Sequence, residues 1–114
     1  MNVLFVCARN RLRSPTAERV FDGIAGVQAA SAGLAPDADE PLTAEWVLWA
    51  DVILVMEPRH RVKMARTFGP QLRGRRVACL GIPDDYGYMD PELIRLLWDR
   101  VPRLVPALAV GRPR

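Results

Sequence analysis

The sequence predicts an α/β protein: a doubly wound, four-stranded parallel sheet in the order 2-1-3-4, with helices on both faces. Three observations carry that prediction. Apolar runs of strand length alternate with segments of helical spacing, which is the pattern of a buried parallel sheet. Several helix starts are marked by a proline: Ser14-Pro15, Glu57-Pro58 and Asp90-Pro91. Right-handed crossovers then leave 2-1-3-4 as the economical order. At 114 residues the chain fits one domain, residues 1–114, with room for a core that needs no disulfide or metal staple.

Asn2–Cys7 (NVLFVC) reads as the first strand, and residues 9–13 break it with charge. Ser14 stands where an N-cap belongs, with Pro15 at the first helical position and Glu18 in the first turn. Residues 16–24 carry Ala17, Val20, Phe21 and Ile24 at helical spacing, and Gly26 is a stop signal. Residues 27–31 form a short second strand and 32–41 a loop. Thr43 caps a short helix through Leu48, and residues 51–56 (DVILVM) are apolar enough to be a central strand. A helix over 58–68 turns Val62, Ala65 and Phe68 inward, and 76–82 is the fourth strand. After a loop at 83–89, Asp90 and Pro91 open a last helix whose apolar face is Leu93, Leu96, Leu97 and Val101. Pro102 and Pro106 should kink or end it, and residues 111–114 read as a frayed tail. There is no internal repeat, linker or low-complexity segment.

Composition removes several classes. Half the residues are apolar and a quarter charged, which excludes disorder, collagen and coiled coil. Apolar runs such as 52–56 fall far short of the ~20 residues of a membrane span. A strand directly after Met1 leaves no room for a signal peptide, so a cytoplasmic protein without membrane partners is expected. Two cysteines make neither a disulfide framework nor a zinc site, and one histidine argues against a His-based metal centre or a Ser-His-Asp triad. Neither metal nor organic cofactor is expected. The net charge of +3, with fifteen Arg against one Lys, permits anionic partners without naming one. Codon bias is the plain source of the Arg excess. A nucleic-acid end is an unfavoured but open substrate, and a monomer is expected.

The predicted strand order puts the switch point, where open α/β sheets bind ligands, at the end of the first strand. The residues there are Cys7, Ala8, Arg9, Asn10, Arg11, Leu12, Arg13 and Ser14. A cysteine meeting a helix N-terminus faces unpaired N–H groups and partial positive charge, both of which favour thiolate over thiol. The intervening loop can curl its N–H groups around one anion. Arg13 adds a fork that binds two oxygens of a phosphate. Nucleophile, anion cradle and clamp are the requirements of phosphoryl transfer through a phosphocysteine. The plainer alternative is that Cys7 is a small buried hydrophobe.

Residues 82–88 follow the fourth strand and emerge at the same sheet edge. Asp84 or Asp85 there can protonate a leaving oxygen and later deprotonate a water. Tyr86 and Tyr88 can wall a slot for an aromatic group. The plainer reading makes both aspartates turn formers.

VLFVCARNRLRSPTAERVF resembles the signature of the low-molecular-weight protein tyrosine phosphatases, and Ser31-Ala32-Gly33, the strand end at 51–57 and Pro83-Asp84-Asp85-Tyr86 follow in that family's order. The resemblance covers most of the chain and is closer still to a compact bacterial subgroup. It implies Cys7 as nucleophile, Arg13 as phosphate clamp, residues 8–14 as phosphate-binding loop and Asp84 as general acid. It also implies that Ser14 stabilises the thiolate, that Asn10 shapes the loop in a left-handed conformation, and that Tyr86 matches the first tyrosine behind the acid. This chain departs from the pattern at Arg9, which replaces the loop glycine, and at Leu12, which replaces a second loop cysteine. Asp85 replaces a proline. Shortening falls between Gly33 and Thr43 and before the fourth strand. Arg9 and Arg11 would form a cationic rim.

The expected activity is hydrolysis of phosphotyrosine-type phosphomonoesters, on a phosphorylated protein or a small molecule. The rival readings are a non-catalytic phosphate or phosphopeptide binder and an arsenate reductase, which would need Cys79 as relay. Cys79 reads as buried and inert, His60 as surface, the charges at 59–66 as a solvated helix face, and Trp46, Trp49 and Trp98 as packing. Trp46 or Trp49 can also line the slot.

Overall fold

In the computed structural model, which describes residues 1–24 and 26–112, the four strands form one parallel sheet in the order β2-β1-β3-β4. These are β1 (Asn2–Cys7), β2 (Gln28–Gly33), β3 (Val52–Val55) and β4 (Arg76–Cys79). In register, Cys7 lies beside Gly33, Val6 beside Val55 and Val55 beside Cys79. The expected fold class and strand order are those observed.

Alternation along β1 feeds two cores. Val3, Phe5 and Cys7 face α1 (Arg13–Phe21) and α4 (Pro91–Leu104), packing with Ala17, Phe21, Leu93, Leu97, Trp98 and Val101. Phe21 bridges Phe5 and Trp98, with ring centroids 5.7 and 4.6 Å away. Leu4 and Val6 face the other way, with Ile53 and Val55, toward Val47 of α2 (Ala44–Trp49) and Met64 of α3 (Pro58–Leu72). Each fully buried Leu, Ile, Phe or Met contributes about 1.5–3 kcal/mol, so both faces of β1 anchor the strand that carries Cys7.

Several boundaries differ from expectation, each for a local reason. Ser14 is not an N-cap: α1 already begins at Arg13, Leu12 holds the cap position, and the Ser14 hydroxyl is engaged elsewhere. The helix stops at Phe21, where the extended Asp22 accepts from Ala29 N–H at 3.2 Å and Gly23 takes φ +89°. β2 continues to Gly33 because all six residues of β1 find partners in it. β4 ends at Cys79, although Leu80 and Ile82 N–H groups still donate to Val55 and Met56 carbonyls.

α3 shows the largest correction. A reciprocal cap, in which Glu57 N–H donates to His60 Nδ1 at 3.1 Å, sets its phase. His60 and Met64, one turn apart, are therefore buried, while Val62 is 53% exposed and Ala65 faces solvent. His60 is thus an interior residue rather than a surface one. The helix continues past Phe68 through a kink just before Gly69-Pro70.

Thr43 caps α2 as expected, accepting from Trp46 N–H at 3.2 Å, and Asp90 caps α4, accepting from Glu92 N–H at 2.9 Å. Pro102 neither kinks nor stops α4, which runs two residues further before a 3-10 helix at Pro106–Gly111. Gly111 belongs to that helix, and residues 113–114 of the expected tail lie outside the described residues. Among the described residues no helix is long and apolar enough to cross a membrane.

Candidate active site

Residues 8–12 leave the C-terminal end of β1 and wrap over it into α1. Gly33 allows this. A Cβ there would stand 2.6 Å from Ala38 Cβ and 2.8 Å from the Ala8 carbonyl oxygen, so only glycine lets β2 pass the loop so closely. The loop carbonyls are tied outward: Leu34, Ala35 and Asp39 N–H groups donate to Cys7, Ala8 and Arg9 carbonyls at 3.0, 2.8 and 3.1 Å. A trans peptide points its N–H opposite its C=O, so the Ala8, Arg9 and Asn10 N–H groups turn away from that segment, and Asn10 N–H reaches the Cys7 sulfur. Asn10 completes the turn at φ +56°, in the left-handed conformation that asparagine tolerates.

The Cys7 sulfur sits at the foot of this curl. Asn10 N–H donates to it at 3.2 Å, and Ser14 Oγ lies 2.9 Å away. The Asn10 side-chain amide donates to Ser14 Oγ at 2.9 Å, which leaves the hydroxyl proton free to turn toward the sulfur. The Asn10 N–H and the Ser14 hydroxyl thus converge on the Cys7 sulfur. Ser14 is fully buried and works beneath the pocket rather than in its wall.

Arg13 closes the site from the side. It is only 3% exposed, and its Nη1 donates to Glu57 Oε2 at 3.0 Å and to the Ile82 carbonyl at 2.8 Å. Both bonds fall on Nη1 and Nε lies 3.6 Å from Asp84 Oδ1, so Nη2 is the nitrogen left for an anion. Glu57 follows β3 and Ile82 follows β4, so two strand ends fix one arginine. Burial alone would raise the Glu57 carboxyl, but hydrogen bonds and charge from Arg13 and Arg59 hold it below its ordinary value. His60 packs behind the pair. Burial, reinforced by the Arg13 charge, lowers its pKa from 6.5 to about 4, so it is neutral at pH 7.

The resulting pocket holds about 560 Å³ and is lined by residues 7–13 with Arg59 and Asp84. Every loop residue expected at the site is there except the buried Ser14. Of the two candidate acids the structure brings Asp84 to the pocket; Asp85 is exposed and outside the lining. The two tyrosines do not form the expected slot. Tyr86 is half-buried against the core on the α1 and α4 side, and Tyr88, 54% exposed, lines a separate cleft with Pro15, Glu18, Arg19 and Asp22. Trp46 and Trp49 pack edge to face and also lie outside this lining. Arg59 is the lining residue that sequence reading missed. Its position directly after the proline that opens α3, at the same sheet edge as Cys7, was the available signal. Among the described residues no group of three His, Cys, Asp or Glu side chains is arranged to hold a metal.

No protein-family model and no curated protein sequence matches the chain. Solved structures do. A mutant of YwlE from Bacillus subtilis aligns at 26% identity with a TM-score of 0.71, over 93% of this chain and 99% of that one. The tyrosine phosphatase AmsI from Erwinia amylovora aligns at 27% identity and TM-score 0.73, over 93% and 91%. The likeness is to the low-molecular-weight tyrosine phosphatases. A cysteine-to-serine mutant of the YwlE arginine phosphatase, carrying a phosphorylated active-site serine, also aligns, at 26% identity and TM-score 0.70, over 93% and 96%. The low-molecular-weight phosphatase likeness therefore spans nearly the whole fold.

Proposed function

We propose that this protein is a cysteine-dependent phosphatase that hydrolyses phosphotyrosine-type phosphomonoesters through a phosphocysteine. The observation that carries the reading is the Cys7 sulfur, which receives Asn10 N–H and faces the Ser14 hydroxyl at the foot of a loop whose carbonyls are tied outward. The likeness to tyrosine and arginine phosphatases supports the same reaction class.

In the first step the Cys7 thiolate attacks phosphorus in line, forming the S–P bond as the bond to the leaving oxygen breaks. Asp84, as the carboxylic acid, gives that oxygen its proton. Loop amides and Arg13 Nη2 hold the equatorial oxygens as charge redistributes. In the second step Asp84, now a carboxylate, takes a proton from water. The water oxygen attacks phosphorus, the S–P bond breaks and inorganic phosphate leaves. Asn10 N–H and the Ser14 hydroxyl receive the departing thiolate. Asp84 is preferred to Asp85 because its carboxylate reaches the pocket beside Arg13.

Hydrolysis of phenyl phosphate and of a phosphotyrosine peptide by wild type, Cys7→Ser and Asp84→Asn tests this reading. Cys7→Ser should abolish turnover, and Asp84→Asn should lower it by about 10²–10⁴-fold, the usual yield of a general acid. Equal rates for wild type and Cys7→Ser would remove Cys7 from the mechanism, and tight phosphate binding without turnover would make the protein a binder. The arsenate-reductase alternative finds no support, since Cys7 and Cys79 lie on strands separated by β3 and face opposite cores.

A further inference from the structure

Three arginines besides Arg13 line the pocket, and they differ in their partners. Arg59 donates twice to Glu57 Oε2, from Nη2 at 2.9 Å and Nε at 3.2 Å. Arg11 donates to Asp39 Oδ1 at 3.2 Å and to the Asp37 carbonyl at 3.1 Å. Arg9 is exposed, and among the described residues its side chain has neither an ion pair nor a hydrogen bond. Asp84 is the one carboxylate in the lining, and it faces Arg13. The charge of Arg9 is therefore uncompensated at the mouth of the pocket.

A phosphoryl group held by loop amides and Arg13 leaves the Arg9 guanidinium unused. Its five donors in a fixed fork suit a carboxylate or phosphate. Apolar contact offers little competing selectivity, because the tyrosines lie elsewhere and Leu12, 39% exposed, is the one large apolar side chain in the lining. We propose that Arg9 selects phosphomonoesters that carry a second anionic group, a carboxylate or a further phosphate, close to the phosphoryl that reacts. The inference rests on the phosphatase reading and adds a substrate class to it.

The test compares kcat/KM for phenyl phosphate and 3-carboxyphenyl phosphate at low ionic strength. Wild type should favour the carboxylated ester by about fivefold, the upper end for an exposed ion pair. The preference should shrink in 0.5 M NaCl, as screening requires. Arg9→Gln should bring the ratio near one, Arg9→Lys should keep most of it, and Arg59→Gln should change it less than Arg9→Gln does, because Arg59 is already paired. Separate arms with an aryl bisphosphate and with a phosphotyrosine peptide bearing an adjacent glutamate tell whether a phosphate or a protein carboxylate is the preferred second anion. A wild-type ratio of one, or a ratio that Arg9→Gln leaves unchanged, overturns the proposal while the phosphatase reading stands. If neither ester turns over, that reading fails, and calorimetric affinities of Cys7→Ala protein for the same two esters decide the matter. A fivefold difference lost on adding Arg9→Gln sustains the second-anion site, and equal affinities overturn it.

Discussion

The side-chain amide of Asn10 donates to the Ser14 hydroxyl at 2.9 Å, and that hydroxyl stands 2.9 Å from the Cys7 sulfur. One residue thus governs both the shape of the loop, through its left-handed backbone, and the hydroxyl that faces the Cys7 sulfur. The two roles separate by substitution. Asn10→Ala should destabilise the fold by about 1–2 kcal/mol more than Asn10→Gly, because only glycine takes the positive φ freely. Both variants should lose turnover together, since both lack the amide. Chemical denaturation read beside kcat checks the split.

Glu57 holds Arg13 from behind, so Glu57→Gln should loosen the clamp. The loss of a charge-assisted hydrogen bond to a buried arginine should cost about 1.5–3 kcal/mol. KM for a phosphomonoester should rise as Arg13 is freed. The Glu57 carboxyl is held below its ordinary value of 4.5 by Arg13 and Arg59. Its contribution is therefore present above pH 4.5 and lost as the pH falls through its lower folded value. Urea unfolding of wild type and variant from pH 3 to 7 measures that loss.

His60 gives a second pH signature with a different window. Its pKa falls from 6.5 to about 4 on folding, so between those values the unfolded chain binds more protons than the folded one. Stability should be complete above pH 6.5 and decline by about 3 kcal/mol as the pH falls to 4, with no further loss from this group below. His60→Gln keeps an acceptor for the Glu57 N–H but does not titrate. It should flatten the stability curve from pH 6.5 to 4, and denaturant midpoints across that range read the difference.

Gly33→Ala places a methyl group 2.8 Å from the Ala8 carbonyl and 2.6 Å from Ala38 Cβ, so backbone must shift. Destabilisation of about 1–3 kcal/mol is expected. Turnover of phenyl phosphate should fall even at temperatures where circular dichroism shows the variant fully folded, because the displaced segment is the loop that carries the amides.

Much of this was legible in the chain. The apolar runs gave the sheet, and the position of Cys7 at the end of the first strand gave the site, because strand order and chain direction decide where a strand ends. What escaped depended on tertiary phase. Val62 and Ala65 have the right character to face a core, yet the Glu57–His60 cap rotates α3 so that His60 and Met64 do so instead. Tyr86 and Tyr88 lie in a loop without periodicity, so no pattern announced which way their rings turn. Ser14 looked like a cap because serine before proline usually is one. Its hydroxyl had a stronger claim on it from the sulfur and from Asn10.

The three outward bonds from the loop carbonyls to Leu34, Ala35 and Asp39 have a thermodynamic consequence. Ordering a free backbone residue costs about 1–2 kcal/mol in entropy. Here that ordering is completed when the chain folds, by a segment that lies outside the pocket lining. Capture of the oxyanion should then proceed almost as a rigid-body encounter, with a small entropic penalty and little dependence of the association rate on loop motion.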